Sequence, residues 1–244
     1  MSEKIWHLKS CDLFERLGAD ELKGLEMRCQ ARKFPRGSPI YLPADNADGV
    51  LLLTSGRVKI CSFSTDGKQA ILTFIEPGEL FGELAMLDQE TREEYAEATE
   101  TCTLLLIPAD AVQDLMAKHA DVSLGVTKLF GMRRQRIERR LKYLLFRSNR
   151  ERLVHLLLEL AERYGSRTAN GVALGIKLSH QDLANIIGST RETVTVVLGE
   201  LQNEGSLKLG RRKIVLTNLD RLAQSVQVSP PRIARPARSS SFPM

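Results

Sequence analysis

Residues 178–205 read LSHQDLANIIGSTRETVTVVLGELQNEG, and this stretch decides the fold of the C-terminal half. The Ser179 hydroxyl can accept from the amide three residues on, and Asp182 sits where the positive end of a helix favours a carboxylate, so a helix opens here. Leu183, Ala184 and Ile187 give it an inner stripe. Gly188 supplies a sharp turn, Thr190 can cap a second helix, and Gly205 closes that helix just past Glu204. In the second helix Val194, Val197, Leu198 and Leu201 fall at i, i+3, i+4 and i+7, which makes one buried face. Glu192, Thr195, Val196 and Gly199 repeat the same spacing on the opposite side. Leu207–Leu209 and Lys213–Leu216 then read as two strands joined by Gly210-Arg211-Arg212, a wing with a cationic tip. A helix pair with a glycine turn is also an ordinary helical corner. The two-faced second helix, its Arg191-Glu192 start and the basic wing favour a winged helix-turn-helix, and therefore double-stranded DNA as a partner.

The residue types fit that chemistry. Early residues of a recognition helix reach base edges in the major groove. Arg191 can donate two bonds to guanine O6 and N7, and Glu192 can accept from the cytosine amino group. Thr195 and Val196 complete the candidate base-reading set. His180, Gln181, Ser189, Thr190, Thr193, Arg211 and Arg212 are the candidate phosphate contacts, which fix register on the duplex without reading sequence.

The charge pattern outside the motif agrees. Residues 1–130 carry 14 Lys and Arg against 21 Asp and Glu, whereas residues 131–244 carry 21 against 9. An acidic first half joined to a basic second half implies two domains with different partners, the basic one meeting phosphates. Hydrophobic content of 43% and charged content of 27% are those of an ordinary globular chain. No apolar run approaches the roughly 18 residues of a membrane-spanning helix, and the start, MSEKIWHLKS, lacks the apolar core of a signal peptide. The expectation is a cytoplasmic protein with no membrane partner. Cys11, Cys29, Cys61 and Cys102 are scattered, with no CxxC, so they read as small hydrophobes and not as disulfides or a zinc site. No nucleophile elbow, Walker loop or HExxH is present, which argues against an enzyme.

Upstream, Leu13, Leu17, Leu22 and Leu25 suggest short helices. Val50–Leu53, Arg57–Phe63, Gln69–Ile75 and Thr103–Ile107 read as strands, with Asp66-Gly67 a tight hairpin turn between two of them. Short strands at this spacing suggest a β jelly roll. Ala109–His119 is a short helix. Asp121 to about Phe146 is a long one, with Val122, Val126, Leu129, Ile137, Leu141, Leu144 and Leu145 along one side. Such a stripe needs cover, either from a parallel second copy or from the β domain of its own chain. Arg150–Tyr164 is amphipathic, Gly165–Gly175 reads as a polar connection, and Val228–Met244 as a disordered basic tail. The fold class is thus α+β. Residues 1–120 form a β-barrel sensor domain, 121–147 a dimerisation helix, 148–227 a winged helix-turn-helix and 228–244 a tail.

LSHQDLANIIGSTRETVTVVLGELQNEG, together with PGELFGELAML at residues 77–87, resembles the cyclic-AMP receptor / fumarate-nitrate regulator family of bacterial transcription factors over roughly residues 10–222. The resemblance implies a homodimer held by the long helix, a cue received in the barrel, a two-fold symmetric DNA site and contact with RNA polymerase. In the cyclic-AMP receptor branch a second Arg follows the recognition-helix Glu by four residues. Here that position is Val196, which cannot hydrogen-bond guanine but can touch a thymine methyl. The expected half-site is therefore related to TGTGA with its second G relaxed or replaced.

The resemblance also marks an effector pocket. Gly82 and Glu83 match the start of the family's phosphate-binding cassette, with Leu84 next, and Arg92 stands as its arginine. Ile137 and Glu138 align with the polar pair that contacts adenine. Three features depart from a cyclic-AMP site. Glu93, followed by Glu94, replaces the cassette Ser and would repel a phosphodiester; the spacing from Glu83 to Arg92 is one residue short; and Ile137-Glu138 is not the usual polar pair. No cofactor follows from the residues. A different small effector is one reading, as in the nitrogen-control branch that senses 2-oxoglutarate; activity set by abundance alone is another. The spacing of Cys11 and Cys29 does not suit the iron–sulfur branch, and His7, His119, His155 and His180 show no haem pattern.

Overall fold

The computed structural model describes residues 3–87, 90–211 and 213–233, and the chain divides into two compact units, residues 1–136 and 137–244. In the first, helices α1 (Glu3–Lys9) and α2 (Ala19–Arg28) precede the strands β1 (Gln30–Phe34), β2 (Pro39–Tyr41), β3 (Gly49–Ser55), β4 (Val58–Phe63), β5 (Gln69–Ile75), β6 (Leu80–Phe81), β7 (Tyr95–Ala98) and β8 (Cys102–Pro108). These form two antiparallel four-stranded sheets, ordered β1-β8-β3-β6 and β2-β7-β4-β5. Helix α3 (Ala109–Lys118) and the start of the long α4 (Ala120–Phe146) follow.

Strands β3 and β8 are apolar at consecutive positions because both of their faces are buried. Alternate side chains of a strand point to opposite faces. Val50, Leu52, Leu105 and Ile107 enter a core shared with Leu8, Leu22 and Val112 of the helices and with Phe14 of the segment between α1 and α2. Leu51, Leu53, Leu104 and Leu106 enter a second core, which they share with Val58, Ile60, Ala96 and Phe81. Helix α4 joins the first core through Val122 and Val126. The Asp66-Gly67 turn forms as expected: Gly67 takes φ +79 and donates to Ser64 O at 2.9 Å. All four cysteines are buried and none is in a disulfide. Leu13 and Leu17 are buried too, but they lie in the turns between α1 and α2 and not in helix.

The second unit is built on α5 (Asn149–Tyr164), whose Ser148–Glu151 capping box fixes its start. The hairpin β9 (Gly165–Thr168) and β10 (Gly171–Leu174), helices α6 (His180–Ile187) and α7 (Arg191–Asn203), strands β11 (Leu207–Gly210) and β12 (Lys213–Leu216) and helix α8 (Leu219–Ser225) follow. The polar connection expected over 165–175 is thus corrected to a hairpin. Its sequence, GSRTANGVALG, has no strong strand pattern. β10 is a strand because Val172 and Ala173 pair with Leu216 and Val215 of β12 and are buried, completing the sheet β11-β12-β10-β9. Of the expected tail, residues 228–233 have no regular secondary structure but Ile233 is buried, and 234–244 lie outside the described residues.

Two consequences are testable. Leu104→Ala and Leu105→Ala empty opposite cores, so each is expected to cost about 2–5 kcal/mol in urea denaturation, whereas a one-sided strand would tolerate one of them. His155 of α5 is 8% exposed, stacks on Tyr143 at 4.4 Å, and its Nε2 has no hydrogen-bond partner among the described residues. Burial, then the nearby Arg147, pull its pKa below the usual 6.5, with Glu151 opposing. The unfolded chain therefore takes up a proton first, and stability is lost as pH falls below 6.5 toward the folded value. His155→Phe is expected to flatten the dependence of Tm on pH in that window.

Candidate nucleic-acid interface and effector cradle

Local capping places the recognition helix. Ser179 Oγ accepts from the Asp182 amide at 3.1 Å, and Asp182 accepts in return from the Ser179 amide at 2.8 Å. Gly188 takes φ +66, a left-handed conformation that frees the chain to turn. Thr190 Oγ1 then accepts from the Thr193 amide at 3.2 Å and starts α7. At the far end Ser206 donates to Leu201 O and Gly205 to Gln202 O, both at 2.9 Å, in the arrangement that a left-handed residue after a helix allows. Between these ends Val194, Val197, Leu198 and Leu201 are buried, while Arg191, Glu192, Thr195 and Val196 are exposed. Beyond its chain neighbours and the helix's own backbone, no atom of the described residues lies within 4 Å of where a Cβ on Gly199 would stand, so that stretch of the face is open.

The polar residues around α7 are not equally available. His180 Nδ1 and Thr195 Oγ1 are 2.8 Å apart, and Thr195 Oγ1 also donates to Arg191 O at 2.8 Å. The Thr190 and Thr193 hydroxyls bond one another at 3.0 Å, and Gln181 donates to Asn185 Oδ1 at 2.8 Å. Ser189 is half-buried and Arg211 exposed; Arg212 lies outside the described residues. Sequence reasoning did not single out Lys208 and Lys213, exposed on the wing strands, although both flank the basic tip it did identify. Arg150 of α5 holds the C-terminal half of α7 through Glu200 at 3.3 Å and Glu204 at 2.8 Å.

In the first unit Gly82, Glu83, Leu84 and Arg92 do converge, around a cavity of about 20 Å3 with room for about one water. Arg92 itself fills the space. It is 8% exposed and donates to Gly82 O at 2.8 Å and Gly49 O at 2.5 Å, and its guanidinium lies 4.9 Å from the Tyr41 ring centre. Gly82 takes φ +67, and a Cβ there would stand 2.5 Å from Arg92 Nη1, so a side chain at this position would push the guanidinium aside. Burial pulls the Arg92 pKa down and pushes the Tyr41 phenol up. Glu83 is buried and paired with Arg133 of α4 at 2.5 Å. Arg133 also donates to Leu80 O. In sequence it was one of several basic residues on the long helix, with nothing in its spacing to mark it. Burial, then repulsion from Glu83, raise the Glu94 pKa, while Glu93 is exposed. Ile137 is 68% exposed, and neither it nor Glu138 lines this cavity.

Two family models match the chain: a cyclic nucleotide-binding domain over residues 31–119 and a Crp-like helix-turn-helix domain over residues 151–225. The Cyclic AMP receptor protein of Thermus thermophilus is 30% identical over 203 residues, which span 83% of this chain and 91% of that protein. The Global nitrogen regulator of Synechocystis is 29% identical over 214 residues, 87% and 93% of the two chains. Among solved structures, the c-di-GMP responsive global regulator CLP of Xanthomonas campestris has a TM-score of 0.73 at 24% identity, covering 82% of this chain and 100% of that one. The chain belongs to the cyclic-AMP receptor / fumarate-nitrate regulator (CRP/FNR) family of transcription factors. Its relatives are DNA-binding transcription regulators with an effector-binding domain.

The buried cation makes a prediction. Arg92→Ala removes the donor to the buried Gly49 carbonyl and one of the two donors to Gly82 O, so it is expected to cost about 2 kcal/mol in chemical denaturation. A variant as stable as the parent would mean that Arg92 is not a structural plug.

Proposed function

We propose that this chain acts as a homodimer on a two-fold symmetric DNA site related to TGTGA, and that cyclic AMP is not its effector. The observation that carries the DNA reading is the exposed face of α7, with Arg191 and Glu192 in its capped first turn and Thr195 and Val196 one turn on. An Arg and a Glu side by side match a guanine and a neighbouring cytosine edge, and Val196 matches a thymine methyl. Wing cations beside the helix supply phosphate contacts.

The dimer reading rests on α4. Its first half is buried through Val122 and Val126, whereas Ile137, Leu141 and Leu145 remain 68%, 53% and 65% exposed. An apolar stripe of that length is covered most simply by its own copy, which sets two recognition helices in two-fold relation. Residues 121–147 serve as the dimerisation helix and 148–227 as the DNA-binding domain, and promoter-bound dimer contacts RNA polymerase in the cytoplasm. No helix among the described residues is long and apolar enough to cross a membrane. The cyclic-AMP exclusion rests on the self-filled cradle, where Arg92 is bonded to backbone and Glu83 to Arg133.

Selection of binding sites from random DNA tests the reading. The expected product is an inverted repeat with TGTGA-like arms degenerate at the second G, unchanged by added cyclic AMP. Val196→Arg should restore that G, with discrimination of about 1–3 kcal/mol. An undiminished TGTGA from the parent chain would overturn the role of Val196, and an absence of any enriched motif would overturn the reading as a whole.

A further inference from the structure

The turn between α6 and α7 decides where the reading face of α7 points, and side chains of α4 and α5 hold that turn. A helix leaves its last carbonyls without partners of its own, and cations are favoured at that end. In α6 the Ala184 carbonyl accepts from the amides of Gly188 and Ser189. Ile186 O accepts instead from Arg140 Nη2 of α4, and Ile187 O from Arg152 Nη1 of α5 at 2.9 Å. Arg152 Nε also donates to Arg147 O at 3.1 Å, at the joint between α4 and α5. Two guanidinium groups from outside the helix pair thus close the C-terminus of α6.

Packing follows the same line. A Cβ on Gly188 would stand 3.2 Å from Leu144 Cδ2, so the turn lies against α4. Tyr143 of α4 stacks on His155 of α5 with ring centres 4.4 Å apart, which joins the two helices that carry the arginines. All of these residues belong to the second unit. Arg140 is half-buried, whereas the nearby Arg139 and Lys142 are exposed. A charged donor on a partly buried carbonyl makes a strong and directional bond.

We propose that Arg140 is a positioning residue for DNA reading: it locks the turn before α7 onto the second half of α4 and so fixes the spacing between the two half-sites of the operator. The inference rests on the homodimer reading, in which α4 pairs with its own copy. Two recognition helices then stand at a separation set by how firmly each is tied to its α4, and half-site spacing follows from that separation. The identity of the bases is left to Arg191, Glu192, Thr195 and Val196.

Selection by the full chain from duplexes that hold TGTGA-like arms in inverted repeat, with spacers differing by single base pairs, tests this. The parent is expected to enrich one spacer. Arg140→Ala should lower the enrichment of that spacer over its neighbours by about tenfold or more, the worth of one hydrogen bond from a charged donor. The base preferences within each arm should stay as they are. Arg140→Lys, which can still donate to a carbonyl, should retain most of the spacer preference, and Arg139→Ala, which removes an exposed charge next to it, should match the parent. Where thermal melting shows that Arg140→Ala does not fold, Arg140→Gln carries the same expectation. A folded variant with a lower Tm and an unchanged spacer preference overturns the proposal, since Arg140 would then be only a cap. So does a variant that loses its base preferences together with the spacer, since α7 would then be disordered and not misplaced. A parent that enriches the arms at no fixed spacing defeats the homodimer reading as well; a fixed spacing that Arg140→Ala keeps defeats this inference alone.

Discussion

Neighbouring side chains of β3 and β8 point in opposite directions, and both directions end in a hydrophobic core. Everything in the first unit follows from that constraint. A strand apolar on both faces cannot lie at a surface, so one face must receive a second sheet and the other a layer of helices. The helix layer holds the start of α4 through Val122 and Val126. The long helix is therefore anchored at one end against the same leucines that hold the two sheets together, and hydrogen bonds from Arg133 to Leu80 O and from Arg136 to Thr73 Oγ1 tie it further along.

A second constraint is electrostatic. The cradle concentrates Arg92, Glu83, Glu94 and Arg133 where water is scarce, and buried charge persists only when paired or hydrogen-bonded. Arg92 donates to two backbone carbonyls, with its Nε left buried and without a partner among the described residues, and Glu83 pairs with a residue of the long helix. The barrel and the first half of α4 are thus joined by a charged contact made from the chain's own residues.

Legibility divided along the range of the interactions. The helix-turn-helix could be read because its signals are local: Ser179 and Asp182, Gly188, Thr190 and Gly205 each act within a few residues. The four strands named from sequence carry their own apolar pattern. β9 and β10 do not, since their strand character comes from pairing with β12, more than forty residues on for Val172 and Leu216. The short β1, β2, β6 and β7 escaped for the same reason. Within the cradle, residue types suggested that Glu93 would oppose a ligand. In the structure Glu93 is exposed, and Arg92 itself occupies the space. Which way a guanidinium turns depends on carbonyls at Gly49 and Gly82, forty-three and ten residues away, and no spacing rule contains that.

The bond between His180 and Thr195 ties the first helix of the pair to the middle of the second. With a cap at one end, a left-handed close at the other and Arg150 gripping Glu204, helix α7 is restrained along its whole length before any duplex arrives. The entropy of ordering this reading surface is therefore spent during folding. Docking of such a surface should resemble the meeting of two rigid bodies, with a modest heat-capacity change. A segment that folds onto its target would show a far larger one.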